Sequence, residues 1–150
     1  MRQLVEQKYS WAKWMLDHYT FRIMPMVNID GVIYGNFRCD LAGYDLNRCW
    51  SKPSLLIHPH LNRIKQVLQS ISSQNRVEMY LDLHTHSRDI GAFSYCSVDS
   101  DPARELPALF SKYTPIFRFP ACTFGLSKDK MNTARAAMFS FENTLNTITI

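Results

Sequence analysis

Pro59-His60-Leu61-Asn62-Arg63-Ile64-Lys65-Gln66-Val67-Leu68-Gln69-Ser70-Ile71 and, after a polar break, Val77-Glu78-Met79-Tyr80-Leu81-Asp82-Leu83-His84 form the stretch that decides the fold. In the first half Leu61, Ile64, Val67 (with Leu68) and Ile71 recur at helical spacing behind a proline that suits a helix start, so that face is expected in the core. The second half is a buried-strand candidate. A helix feeding a strand predicts α/β layering, and both flanks repeat the alternation. Upstream, residues from about 2 to 17 carry Leu4, Val5, Trp11, Trp14 and Met15 as a helix face, and Tyr19 to Val27 reads as an apolar strand ending near Pro25. Downstream, Ala92 to Cys96 reads as a strand, and Asp101-Pro102 opens a helix through Leu106, Leu109, Phe110 and Tyr113. Ala134 to Phe141 and Asn146 to Ile150 are two further strand candidates. Nothing repeats, and no linker or composition shift divides the chain.

A length of 150 residues is one ordinary domain, and 46% hydrophobic with 20% charged residues describes a globular protein. The net charge is +4, but the seventeen Lys and Arg are scattered and never form a run that would track a phosphate backbone, so no nucleic-acid partner is expected. No stretch approaches the roughly eighteen apolar residues of a membrane helix. The N-terminus, interrupted by Arg2, Glu6, Lys8 and Lys13, lacks a signal-peptide core, so the chain reads as soluble, cytoplasmic and without a membrane partner. Cys39, Cys49, Cys96 and Cys122 form no CxxC pair, which favours reduced thiols over a disulfide framework or zinc knuckle.

Asn28 to Pro53 reads as one long loop, with Asn28-Ile29-Asp30-Gly31 and Gly35-Asn36 as turn chemistry, and a loop of that length is more often functional than idle. It holds Asn36-Phe37-Arg38-Cys39-Asp40-Leu41-Ala42-Gly43-Tyr44-Asp45-Leu46-Asn47-Arg48. Arg38 and Arg48 suit two roles: surface charges paired with Asp40 and Asp45, or guanidinium forks that grip a carboxylate beside the Asn47 amide. His84 closes the apolar strand, with His86 two residues on and on the same face if the strand continues. A hydrogen-bonded core histidine and a metal ligand both fit that placement, and one HxH pair falls short of the three protein ligands of a catalytic zinc. His58 and His60 read as a solvated loop at a helix start.

The string Met24-Pro25-Met26-Val27-Asn28-Ile29-Asp30-Gly31-Val32, then Gly35 to Cys39, then Leu41 to Arg48, closely resembles the metallocarboxypeptidase domain of the cytosolic carboxypeptidases, zinc enzymes that trim glutamates from tubulin tails. Leu81-Asp82-Leu83-His84-Thr85-His86-Ser87-Arg88 is similar to that family's Asp-Leu-His-Gly-His-Ser-Arg stretch, and Thr133-Ala134-Arg135-Ala136-Ala137-Met138 to its Thr-Ala-Arg-Val-Val-Met stretch. The resemblance runs in register from about Phe21 to Ile150. It implies a mixed β-sheet flanked by helices, an α/β fold of the zinc carboxypeptidase kind, with residues 1–150 a partial catalytic domain truncated at both ends.

Position by position, the resemblance makes His84 a zinc ligand, Arg38 the residue that polarises the scissile carbonyl and holds the oxyanion, and Asn47 with Arg48 the clamp on the substrate's terminal carboxylate. Asp45 matches a carboxylate that orients a zinc-bound histidine, and Arg135 a basic residue facing the side chain removed, so that a glutamate preference follows from charge pairing. An exposed strand arginine is the alternative for Arg135.

The departures are as specific as the matches. The family's other two zinc ligands come from a His-x-x-Glu motif upstream of the turn at Asn28, whereas here no histidine precedes His18 and no HxxE exists. The family's catalytic glutamate would, in register, follow Ile150, and Glu142 lies eight residues too early to replace it. Ile29 stands for Pro, Thr85 for Gly and Asn132 for Gly. Two functions follow: a Zn2+ carboxypeptidase acting on acidic C-terminal tails such as tubulin's, of which this chain is a fragment, or an inactive remnant that binds such tails without cutting them. On either, the isolated chain is expected to bind zinc poorly and to have no peptidase activity.

Overall fold

The computed structural model describes residues 6–7, 9–141, 144 and 146–150. Among these residues five α-helices lie in chain order: α1 Ser10–His18, α2 Ile29–Tyr34, α3 Pro59–Gln74, α4 Asp101–Tyr113 and α5 Ala134–Phe139. The strands are β1 Tyr80–Asp82, β2 Tyr95–Cys96 and β3 Thr147–Thr149, in the sheet order β1-β3-β2. β3 runs parallel to β1, with Leu81 opposite Ile148, and antiparallel to β2, with Cys96 opposite Ile148. The sheet is mixed and flanked by helices, as expected.

The decisive stretch folds as its pattern predicts, with two differences. Pro59 takes the first turn of α3, where its missing N–H costs nothing, and the His58 carbonyl accepts from the Asn62 backbone N–H and side-chain amide, both at 3.2 Å. Leu61, Ile64 and Leu68 turn inward onto Leu46, Trp50, Ala134 and Ala137, which with Val27, Cys49 and Tyr80 make the core. Val67, expected on that face, is 43% exposed, because Leu68 falls closer to the Leu61–Ile64 stripe at 3.6 residues per turn. The strand after it is shorter than Val77 to His84. Only Tyr80–Asp82 is strand, and Leu81 is 42% exposed, so β1 is half-buried.

Three other readings are corrected. Tyr19 to Val27 forms no strand; it is extended, irregular and largely exposed, with no neighbouring strand among the described residues and a Pro25 that has no N–H to give. Asn28 to Pro53 is not one loop. Asn28 Oδ1 accepts from Gly31 N–H at 3.1 Å and starts α2, and Gly35, at φ 73°, ends it in the left-handed conformation. Gly31 is needed there, because a Cβ would stand 2.6 Å from the Cys39 carbonyl oxygen. A 3-10 turn follows at Leu46–Arg48.

Ala134 to Phe141 is no strand either. Ala134–Phe139 is helix, capped by Thr133 Oγ1 accepting from Ala136 N–H at 3.3 Å, and its small residues let it lie close against the sheet. Ala92 to Cys96 keeps only Tyr95–Cys96 as strand, while Ala92 makes an isolated bridge to Phe117. α4 and the Asn146 to Ile150 reading hold, but the first helix is shorter than residues 2 to 17: Glu6 and Gln7 are turn, only Ser10–His18 is helix, and Trp11 and Trp14 of the expected face are half-exposed; Leu4, Val5 and Glu142 lie outside the described residues. Thr85 and Asn132, which stand where the resembling family has glycine, do not adopt positive φ; Gln7 is the one non-glycine that does among the described residues.

Candidate carboxylate-binding site

Residues 36–48 fold back on Asp40. Its N–H donates to the Tyr44 carbonyl at 2.9 Å, its Oδ1 accepts from Tyr44 N–H at 2.8 Å, and Cys39 bridges Asp45 in antiparallel fashion. Asp40 Oδ2 faces His58 Nε2 at 3.2 Å, both side chains being buried, with the ring out of hydrogen-bonding alignment. Tyr44 stands edge-on to the same ring. The solvated-loop reading of His58 is therefore wrong: the residue that caps α3 with its backbone anchors the loop with its side chain. The partner is eighteen positions upstream, so only the proximity of a histidine to a Pro-started helix hinted at it.

That frame places the charged groups. Arg38 Nε bonds Asp45 Oδ2 at 2.9 Å, while Asp45 Oδ1 accepts from Asn47 N–H at 2.9 Å and so caps the 3-10 turn. Asn47 Oδ1 reaches across to accept from Ala134 N–H at 2.9 Å, which ties the loop to the first turn of α5. Arg48 Nη1 donates to the Asn47 carbonyl at 2.9 Å and its exposed guanidinium is otherwise open. Arg38 is thus paired with Asp45 in this state, whereas Arg48 pairs with neither Asp40 nor Asp45.

Arg135, one residue past the Asn47 tie, is 5% exposed, and its Nη1 has no hydrogen-bond partner. Its guanidinium carbon lies 5.8 Å from the centre of the Tyr95 ring. Burial lowers its affinity for the proton, against the charges of Cys96, Tyr95 and Asp82. The exposed strand arginine, the alternative for this position, is not what the fold makes: the residue is helical and buried.

His84 closes the group from the sheet. Its N–H continues the ladder to the Ile150 carbonyl at 2.7 Å, and its Nε2 lies 2.9 Å from Asp82 Oδ2. The bond to Asp82 raises the imidazole pKa, burial opposes this, and the charges of Asp82 and Asp45 (raising) and Arg38 (lowering) also act on it. The strand end and the loop therefore face one electrostatic environment, with Asp82 felt by both His84 and Arg135. His86 turns away to Asp89, Nδ1 to Oδ2 at 3.4 Å, because the strand stops at Asp82.

A zinc ion needs at least three protein donors in such a site. Among the described residues no three His, Cys, Asp or Glu side chains come together in that way, so the residues present do not fit a complete zinc site and no step is derived through the metal. What the set offers is cationic and amide chemistry suited to an anion: one buried guanidinium on α5, two exposed ones and an amide on the loop, the loop tied to α5 by the Asn47–Ala134 bond. All four thiols are free. No described helix is long and apolar enough to cross a membrane.

The zinc carboxypeptidase family profile matches residues 1–114. The chain is similar to Cytosolic carboxypeptidase 1 of Homo sapiens, at 37% identity over 147 residues, covering 85% of this chain and 12% of that protein. It is also similar to Cytosolic carboxypeptidase 6 of Mus musculus, at 34% identity over 131 residues, covering 83% of this chain and 24% of that protein. The chain thus spans a quarter or less of the length of these relatives. The crystal structure of a metallo-carboxypeptidase from Burkholderia cenocepacia shares the fold, with a TM-score of 0.75 and 22% identity, covering 98% of this chain and 40% of that one. The chain belongs to the zinc carboxypeptidase family.

Proposed function

We propose that residues 1–150 are the substrate-holding part of a zinc-dependent carboxypeptidase that removes C-terminal glutamates from acidic protein tails, tubulin's among them, in the cytoplasm. The observation that carries this reading is Arg135, a buried guanidinium whose Nη1 has no hydrogen-bond partner among the described residues. A buried guanidinium N–H without an acceptor is costly, and a glutamate carboxylate supplies the acceptor it lacks together with a further counter-charge.

Arg48 and Asn47 hold the terminal carboxylate of the substrate. The fork of Arg48 is open, and Asn47 sets its distance from Arg135 through the bond to Ala134. Arg38 then meets the carbonyl of the bond to be cut, leaving Asp45 to do so, and its positive charge favours the oxyanion that develops there. Asp45 keeps the turn capped meanwhile. His84 is the zinc ligand this chain contributes, its orientation fixed by Asp82. Two further donors and a carboxylate base are needed for hydrolysis, and the described residues do not bring them to His84.

The single-donor site favours a second reading, in which the chain binds acidic tails without hydrolysing them. Both readings share the carboxylate clamp, so binding is tested first. A labelled hexaglutamate peptide with a free C-terminus is expected to bind the 150-residue chain about tenfold more tightly than the same peptide amidated, and Arg48→Gln to erase that difference. Equal binding of the two peptides by the unaltered chain would sink the clamp. The isolated chain with added zinc is expected to release no glutamate; release that stops on chelation would refute that expectation and dispose of the binding-only reading.

A further inference from the structure

An open groove lies on the face of α3 turned away from the core. Leu61, Ile64 and Leu68 turn that helix to the core. Arg63, Gln66, Val67 and Ser70, at i, i+3, i+4 and i+7, make the opposite stripe, and with Ile71 and Arg22 from the extended segment before α2 they line an open groove of about 280 Å³. Among the described residues neither Arg22 nor Arg63 has a carboxylate partner, although other surface arginines do: Arg76 bonds Glu78 at 2.8 Å, and Arg104 bonds Asp99 at 2.6 Å. Two guanidinium groups without carboxylate partners thus line a groove that is otherwise amide, hydroxyl and methyl.

We infer that this groove is a second binding site, which takes an acidic peptide segment running along α3. The stripe from Arg63 to Ser70 is about 10 Å long at 1.5 Å per residue, the length of three extended peptide residues. Glutamate fits each part of it. Its carboxylates pair with Arg22 and Arg63, its methylenes cover Val67 and Ile71, and the peptide backbone has both the donors and the acceptors that Gln66 uses. A phosphate polymer fits less well: it leaves Val67, at 43% exposure, uncovered and needs more cations than two. The inference takes from the proposed function only the acidic-peptide class, since the groove holds none of the residues of the carboxylate clamp.

The test uses a labelled, amidated hexaglutamate peptide and the whole 150-residue chain, read by fluorescence anisotropy at low salt. Amidation removes the group that Arg48 would hold, so failure of the clamp does not touch the result. Arg22→Gln with Arg63→Gln is expected to weaken binding at least tenfold, each single change about threefold, and 0.5 M salt to abolish the difference. Both residues are exposed, so the variants keep the fold. A double variant that binds within twofold of the parent would overturn the inference. So would inorganic polyphosphate displacing the peptide at equal charge concentration, which would make this a phosphate site.

Discussion

Arg38 and Arg135 carry the same guanidinium in opposite surroundings. The side chain of Arg38 is 59% exposed and bonded to Asp45, on a loop framed by Asp40 and His58. Arg135 is 5% exposed with one nitrogen unpartnered, on a helix packed against the sheet. An exposed ion pair is worth little to stability and can exchange Asp45 for an incoming ligand at small cost. A buried, unpaired charge weakens the fold until an anion arrives, and the anion then recovers that cost as affinity. Of the two, the helix arginine is the selective element and the loop arginine the adjustable one.

The contrast breaks most severely at the loop's frame. Asp40→Ala takes the carboxylate away from the buried His58 and frees the Tyr44 N–H, and is expected to lower unfolding stability by about 3 kcal/mol in a urea titration. An unchanged midpoint would mean that the loop does not depend on the pair. Arg135→Met separates two quantities that usually fall together: stability is expected to rise by about 1 kcal/mol, while affinity for a glutamate-terminated peptide drops tenfold or more. Loss of both would make the arginine structural. Arg38→Gln, in the same urea titration, is expected to shift stability by no more than about 0.5 kcal/mol.

The smallest effect is a pH dependence at His84. With chelator present, its folded pKa stands above the ordinary value near 6.5, chiefly through Asp82. The stability from that bond is therefore fully present below pH 6.5 and fades as pH rises through the higher folded value. Asp82→Asn is expected to flatten this slope in denaturation midpoints measured from pH 5.5 to 8.5, and a slope that persists would place its source elsewhere.

Periodicity made the architecture legible where a residue's partner was close along the chain. The face of α3 and the Thr/Ile alternation at β3 can be read from residues three or four, or two, apart. Ala134–Phe139 is helix although its apolar run suits a strand, because Thr133, three residues before Ala136, caps a helix start and alanine is a helix former. Partners far apart in sequence were out of reach: Asn47 caps Ala134 from 87 residues away, and His58 meets Asp40 from eighteen. The candidate residues could be named from their resemblance to a family, but the burial of Arg135 and the capture of Arg38 by Asp45 belong to the tertiary structure alone.

The middle strand of the sheet is the last of the three to leave the ribosome. β1 and β2 both pair with β3 and not with each other, and Tyr80 waits 67 residues for Thr147. During synthesis α3 and α4 can form from neighbours already made, while the edges of β1 and β2 stay open until the residues after α5 emerge. Slow translation or a stall in that interval would prolong the exposure of two unpaired edges, so the step most prone to aggregation is set by chain order more than by final stability.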